Sequence, residues 1–265
     1  MLRPLLLVLF FLIISINYSN AESWAKFSPW EGDQAFEQIY QLIGSAKKSV
    51  YLSIYSYTDE PELERSLAKA IDQGAEVKVV LNPYLGKAPK TQKMLKNLEN
   101  KGAQFKMAFQ NMHEKFVIVD DTILMNTSAN FTRGARNAYS ENFVFMKKDS
   151  AESDKLLSAF KREFALIWNS GKDVITQNEP LAAPMEVPPP VERHNKLALF
   201  SSSDNWIFKD NPLRTKTDKK KYEQGQYLVA ERNGGKDNQS TVVKDQLIKA
   251  INGAKRSIYV AINHR

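Results

Sequence analysis

The stretch MHEKFVIVDDTILMNTSANFT, Met112 to Thr132, carries His113 and Lys115 two residues apart, an acid at Asp120, and then Ser128 and Asn130 past a second apolar run. The run FVIV between the charged groups reads as a buried strand, on which residues two apart point the same way, so His113 and Lys115 share a face at its entrance. A neutral imidazole and an ammonium cannot neutralise each other; the pair makes sense with an anion between them. The next segment, TILMNT, runs back and delivers the Ser128 hydroxyl and the Asn130 amide just beyond its end. Lysine, serine and asparagine converging on an imidazole can hold a phosphoryl group while the imidazole attacks it.

Such convergence needs a rigid frame. From Asp33 onward the hydropathy pattern alternates between period 3.6 and period two. AFEQIYQLIGSA, PELERSLAKAIDQG and KTQKMLKNLENKG read as helices, the last two stopped by Gly74 and Gly102. SVYLSIYSY, EVKVVLN, AQFKMAF, KFVIVD, TILMNT and ENFVFMK read as strands, with KFVIVD and TILMNT paired. A long amphipathic helix, SAESDKLLSAFKREFALIWNS, closes the unit. Helices alternating with buried strands predict an α/β domain, an α-β-α sandwich around a mixed sheet, over residues 25–170.

Residues 171–196 change character: NEPLAAPMEVPPPVE concentrates proline and reads as an extended linker. Beyond it the chain repeats itself. LIGSAKKSVYLSI (42–54) aligns without gaps on AINGAKRSIYVAI (250–262), and AKFS (25–28) resembles ALFS (198–201). The first pair is offset by 208 residues and the second by 173, so residues 197–265 read as an incomplete second copy carrying a basic insertion, around Thr215 to Asn238. That insertion reads as a solvated loop, or as a surface for phosphates or lipid headgroups. A counterpart of His113 at the longer offset falls past Arg265, so either more sequence follows or the gene encodes one and a fraction repeats.

Composition narrows the function classes. The 265 residues carry a formal charge of +7 and 43% hydrophobic residues, which fits one or two globular domains and not a disordered or fibrous chain. The opening MLRPLLLVLFFLIISINYSNAES, with one Arg, an apolar stretch and Ala21 placed for cleavage, reads as a signal peptide (residues 1–21) or an uncleaved anchor; its removal takes Arg3 and leaves a basic, exported protein, periplasmic or secreted. The absence of cysteine excludes disulfides, thiolate nucleophiles and thiolate metal sites. Three histidines, His113, His194 and His264, lack metal-ligand spacing, so metal-free chemistry with no cofactor is favoured. His194-Asn195-Lys196 imitates the opening of the motif but has Ser201 where an acid belongs, and reads as coincidence.

His113-x-Lys115-xxxx-Asp120, followed after six residues by TSAN where the pattern has GSxN, resembles the HKD signature of the phospholipase D superfamily. The continuation NFT, with Asn137 and Glu141-Asn142-Phe143, is similar to the branch holding small exported bacterial endonucleases and cardiolipin-type hydrolases. The resemblance implies a phosphohistidine intermediate on His113, Lys115 and Asn130 on the phosphate oxygens, and Ser128 assisting. It further implies Glu141 bonded to the far nitrogen of His113, and Asp120 as an organiser of the local hydrogen-bond network rather than a proton donor. Thr127 in place of glycine and Met112 before His113 depart from the pattern without removing a catalytic side chain. The implied activity is phosphodiester hydrolysis, foremost phospholipase D-type cleavage at an anionic membrane surface, with nucleic acid the alternative substrate. Superfamily members oppose two such motifs, so a second motif or a homodimer completes the site; a monomer with one motif reads as a phosphate binder.

Overall fold

Phe116 and Ile118 turn to one side of a sheet while Val117 and Val119 turn to the other, and each pair enters a different apolar core. That two-sided burial, legible in the run FVIV, defines the architecture: a layer of strands with helices on both faces. The computed structural model describes residues 23–58, 60–85, 89–174, 182–191, 206–210, 228–232 and 242–258. The signal peptide or anchor, His194, Ser201 and His264 lie outside the described residues.

In chain order the first unit runs β1 (Ser23–Ser28), α1 (Gly32–Ser45), β2 (Ser49–Ile54), β3 (Tyr57–Thr58), α2 (Pro61–Asp72), β4 (Glu76–Leu81), α3 (Pro89–Glu99), β5 (Gln104–Met107), β6 (Phe116–Val119), β7 (Ile123–Thr127), β8 (Phe131–Thr132), α4 (Arg133–Asn137), β9 (Glu141–Lys147), α5 (Ala151–Ser170) and β10 (Lys172–Asp173). Eight of these strands form one mixed sheet in the order β1-β9-β7-β6-β2-β4-β5-β10. The β2, β4 and β5 strands are parallel, as connections through α2 and α3 require, and the remaining pairs are antiparallel. Gly74 and Gly102 end α2 and α3 in the left-handed region, at φ 88° and 111°, where a side chain would be strained.

Ile39, Ile43, Leu63, Leu67 and Leu95 bury the amphipathic faces of α1, α2 and α3 on one side, against Val50, Leu52, Val77 and Val79. On the other side α5 lays Leu157, Phe164, Ile167 and Trp168 against Val80, Phe116, Ile118 and Leu124. The α5 helix begins with a capping box, Ser150 accepting from the Ser153 amide while the Ser153 hydroxyl takes the Ser150 amide.

Two features exceed the sequence-based expectation. SWAKFS forms the edge strand β1, paired with β9 from Ser23↔Met146 to Ser28↔Glu141. The proline-rich segment is extended and lacks regular structure over residues 182–191, but it is docked, not free: Asn169 exchanges two 2.7 Å hydrogen bonds with the Met185 backbone, and Trp168 Nε1 donates to Ala183 O. Beyond the proline-rich segment, β11 (Trp206–Asp210) pairs antiparallel with β12 (Leu228–Arg232), and the helix α6 spans Val242–Asn252. The β12 strand falls inside the basic insertion, so that insertion is not loop throughout.

Candidate active site

The site gathers at the sheet end where β2 and β4 finish and β6 and β9 begin. His113 and Lys115 belong to the extended segment leading into β6, just outside it, and their side chains meet: Lys115 Nζ lies 3.1 Å from His113 Nδ1 and donates to the His113 carbonyl at 2.5 Å. An ammonium has donors only, so with Lys115 charged Nδ1 accepts and the ring proton resides on Nε2. His113 is exposed while Lys115 is 3% exposed. Burial pulls the Lys115 pKa down to about 8 against the opposing pull of Glu141 and Glu114.

The preceding residue, Met112, fixes this segment from behind. Asn82 at the end of β4 donates to its carbonyl at 3.0 Å, and Ser53 of β2 donates to its sulfur at 3.1 Å. Met112 is buried, which accounts for an apolar residue at that place.

Strand β7 brings the second half. The Thr127 amide donates to Lys115 O at 3.0 Å, which sets Ser128 beside the histidine segment. Ser128 Oγ donates to Glu141 Oε2 at 2.5 Å and accepts the Asn142 amide at 3.1 Å. Glu141 therefore bonds Ser128, and its charge favours protonated Lys115. Thr127, in the place expected for glycine, is buried and spends its hydroxyl internally, donating to Asn142 O and accepting the Ala129 amide. The side-chain amide of Asn130 makes no hydrogen bond to a described residue, and its Oδ1 is buried. The Phe131 amide, next in sequence, donates to Ser56 O and ties this turn to the end of β2.

Asp120 stands apart from the others. It sits at the far end of β6, at φ 54°, and its carboxylate accepts the amides of Lys47, Lys48 and Ser49 at 2.7–3.1 Å. Burial works to raise its pKa, but the Ser49, Lys47 and Lys48 amides outweigh it and hold the carboxyl below its ordinary value. It organises the start of β2, at the end of β6 opposite His113 and Lys115.

Two supports carried no motif signal. Tyr55, the first residue after β2, packs its ring against His113 at 4.2 Å between centroids, with Lys115 Nζ 4.8 Å from the Tyr55 centroid. Ser28 Oγ donates to Tyr139 O and accepts the Glu141 amide, pinning the start of β9 to β1. The hydroxyl-bearing end of the AKFS segment was the signal available for the latter.

Residues 39–168 match the family model described as cardiolipin synthase, PLD-like domain. Among curated proteins, the chain is similar to mitochondrial cardiolipin hydrolase of Xenopus tropicalis, 24% identical over 139 residues, covering 51% of this chain and 62% of that protein. The human mitochondrial cardiolipin hydrolase is 25% identical over 145 residues, 52% of each. The chain thus spans less than two thirds of these curated relatives. Among solved structures, Nuc from Salmonella typhimurium, a phospholipase D family member, is 26% identical with a TM-score of 0.51, over 57% of this chain and 97% of that one. NucT from Helicobacter pylori shares the fold at 19% identity and a TM-score of 0.51, with the same coverage.

Proposed function

The chain belongs to the phospholipase D superfamily through residues 39–168, and on that premise we propose that it hydrolyses phosphodiesters through a covalent intermediate on His113. The observation that carries this reading is the exposed His113 imidazole held 3.1 Å from the buried Lys115 ammonium. A phosphoryl group drawn in by Lys115, the Asn130 amide and the Ser128 hydroxyl presents phosphorus to the ring. The ring nitrogen bearing the lone pair attacks, the bond from phosphorus to the leaving oxygen breaks, and that oxygen takes a proton from a second imidazole, which a second copy of this domain supplies. Water then attacks phosphorus while giving a proton to the second imidazole, the bond from phosphorus to nitrogen breaks, and both histidines are regenerated.

The substrate we assign is a phospholipid, with hydrolysis of the phospholipase D type. Its support is the likeness of the chain to proteins named cardiolipin hydrolase, together with its basic charge. A second reading, nucleic acid, is favoured by one specific observation. Exposed Tyr84 follows β4 on one side of the site, while exposed Tyr139 and Trp30 border β9 and β1 on the other. Aromatic rings flanking a phosphate site can stack bases.

The test is turnover of bis(p-nitrophenyl) phosphate in excess chelator. The expected result is chelator-resistant turnover that falls at least about a thousandfold in His113→Ala, with a phosphorylated His113 trapped by mass spectrometry in the active chain. Turnover unaffected by His113→Ala overturns the mechanism. A folded chain that binds phosphodiesters without turnover overturns the enzyme reading and leaves a binder. Vesicles of anionic phospholipid consumed as substrate support the lipid assignment; salt-dependent binding and cleavage of single-stranded DNA, with vesicles untouched, replaces it with the second reading.

A further inference from the structure

Tyr55 lies one residue beyond β2, half-buried, with the side chains of His113 and Lys115, which lead into β6, gathered on one ring. Its centroid is 4.2 Å from that of His113 with the planes inclined by 56°, and Lys115 Nζ lies 4.8 Å from the same centroid. A cation within about 6 Å of an aromatic face is attracted to it, the more so where water is excluded, and Lys115 is 3% exposed. The ring therefore does two things at once: it limits the tilt of the imidazole and gives a desolvated ammonium an electron-rich surface. The place of Tyr55 is itself fixed, since the next residue, Ser56, accepts the Phe131 amide at 3.1 Å just after Asn130.

We infer that Tyr55 is a positioning residue of the site, whose ring, not its hydroxyl, holds the His113 imidazole and the Lys115 ammonium in register for a phosphoryl group. The inference rests on the phosphodiesterase reading for its consequence on rate. Its physical content, the ring acting on Lys115, stands without turnover.

Three variants separate the parts. Tyr55→Phe keeps the ring and loses the hydroxyl; Tyr55→Leu loses the ring; Tyr55→Met loses it with closer preservation of length and serves if the leucine variant fails to fold. On bis(p-nitrophenyl) phosphate, the phenylalanine variant falls less than about threefold in kcat, and the ring-less variants fall about 10- to 100-fold with a smaller change in KM, as misalignment of reacting groups produces. The alkaline limb of kcat/KM moves to lower pH by about half a unit or more without the ring, because the charged form of Lys115 has lost its partner, and stays in place in Tyr55→Phe. Nuclear magnetic resonance of 13C-labelled lysine follows the same Lys115 titration directly and needs no turnover. A Lys115 titration that is unmoved or raised in Tyr55→Leu and Tyr55→Met overturns the inference, as does a rate loss in Tyr55→Phe equal to theirs. If the wild-type chain is inert, the phosphodiesterase reading fails while the lysine titration still decides what Tyr55 does.

Discussion

Lys115 is the residue on which the site's pH dependence turns. Under the proposed function its charged form holds the phosphoryl oxygens, and burial has brought its pKa down to about 8 from the ordinary lysine value. As pH rises through about 8 the ammonium loses its proton, so kcat/KM for a phosphodiester is expected to be sustained below that value and to fall above it, the free enzyme being what kcat/KM reports. Lys115→Arg keeps the charge at all accessible pH and removes this limb, at a reduced rate because a planar fork replaces a point charge; a pH series on both proteins checks it. At this scale the chain was readable where types and spacing coincide. That His113, Lys115, Ser128 and Asn130 belong to one end of the sheet was legible because alternation along two adjacent strands sends them there. Tyr55 was not, because an aromatic residue after an apolar strand has the composition of ordinary core and its contact with His113 spans 58 positions of chain. Nor could spacing reveal that the Glu141 carboxylate would meet Ser128, a choice made by side-chain reach within a few ångströms.

Among elements, the strands and long helices were legible from period alone, and the short or edge pieces were not. Strand β1 has six residues of mixed polarity, and only pairing with β9 reveals its role of holding Glu141 through Ser28. Helix α4 has five residues and starts from a Thr132 cap that no hydrophobic repeat announces. The proline-rich segment is the most instructive case, because composition spoke for its extended backbone and could say nothing of its docking. Asn169 is 4% exposed and satisfies both its amide groups on Met185. Asn169→Ala leaves two backbone groups unpaired and uncovers part of α5, so the expected cost is about 2 kcal/mol, read by urea unfolding. Faster hydrogen exchange at the Met185 amide should accompany it, with β6 protected as before.

For the whole molecule, the repeat supplies an internal control. Leu247, Ile248 and Ile251 of α6 stand at the places of Ile39, Tyr40 and Ile43 of α1, and Ile258 stands at that of Val50. The four residues of the first copy are at most 7% exposed, whereas their counterparts are 41–52% exposed. Ile43→Ala should therefore cost about 2–5 kcal/mol of unfolding free energy, and Ile251→Ala less than about 0.5 kcal/mol, measured on the full chain by the same urea titration. The repeat was visible in sequence because it preserves residue types; the difference in burial was not, because burial depends on what lies across from a helix face. A last consequence concerns which changes of length the molecule can absorb. The four residues between Lys115 and Asp120 are Phe116 to Val119, the whole of β6, so the interval in the motif is a strand measured end to end, roughly 13 Å at the usual rise. One end presents the chemistry, and the other grips the amides that open β2. A single residue added there reverses every later side chain across the sheet, releasing the Asp120 grip and displacing the histidine end in the same event. Insertions are thus expected to be tolerated in the exposed turns bordering the site and to be lethal to fold and chemistry together inside those four positions.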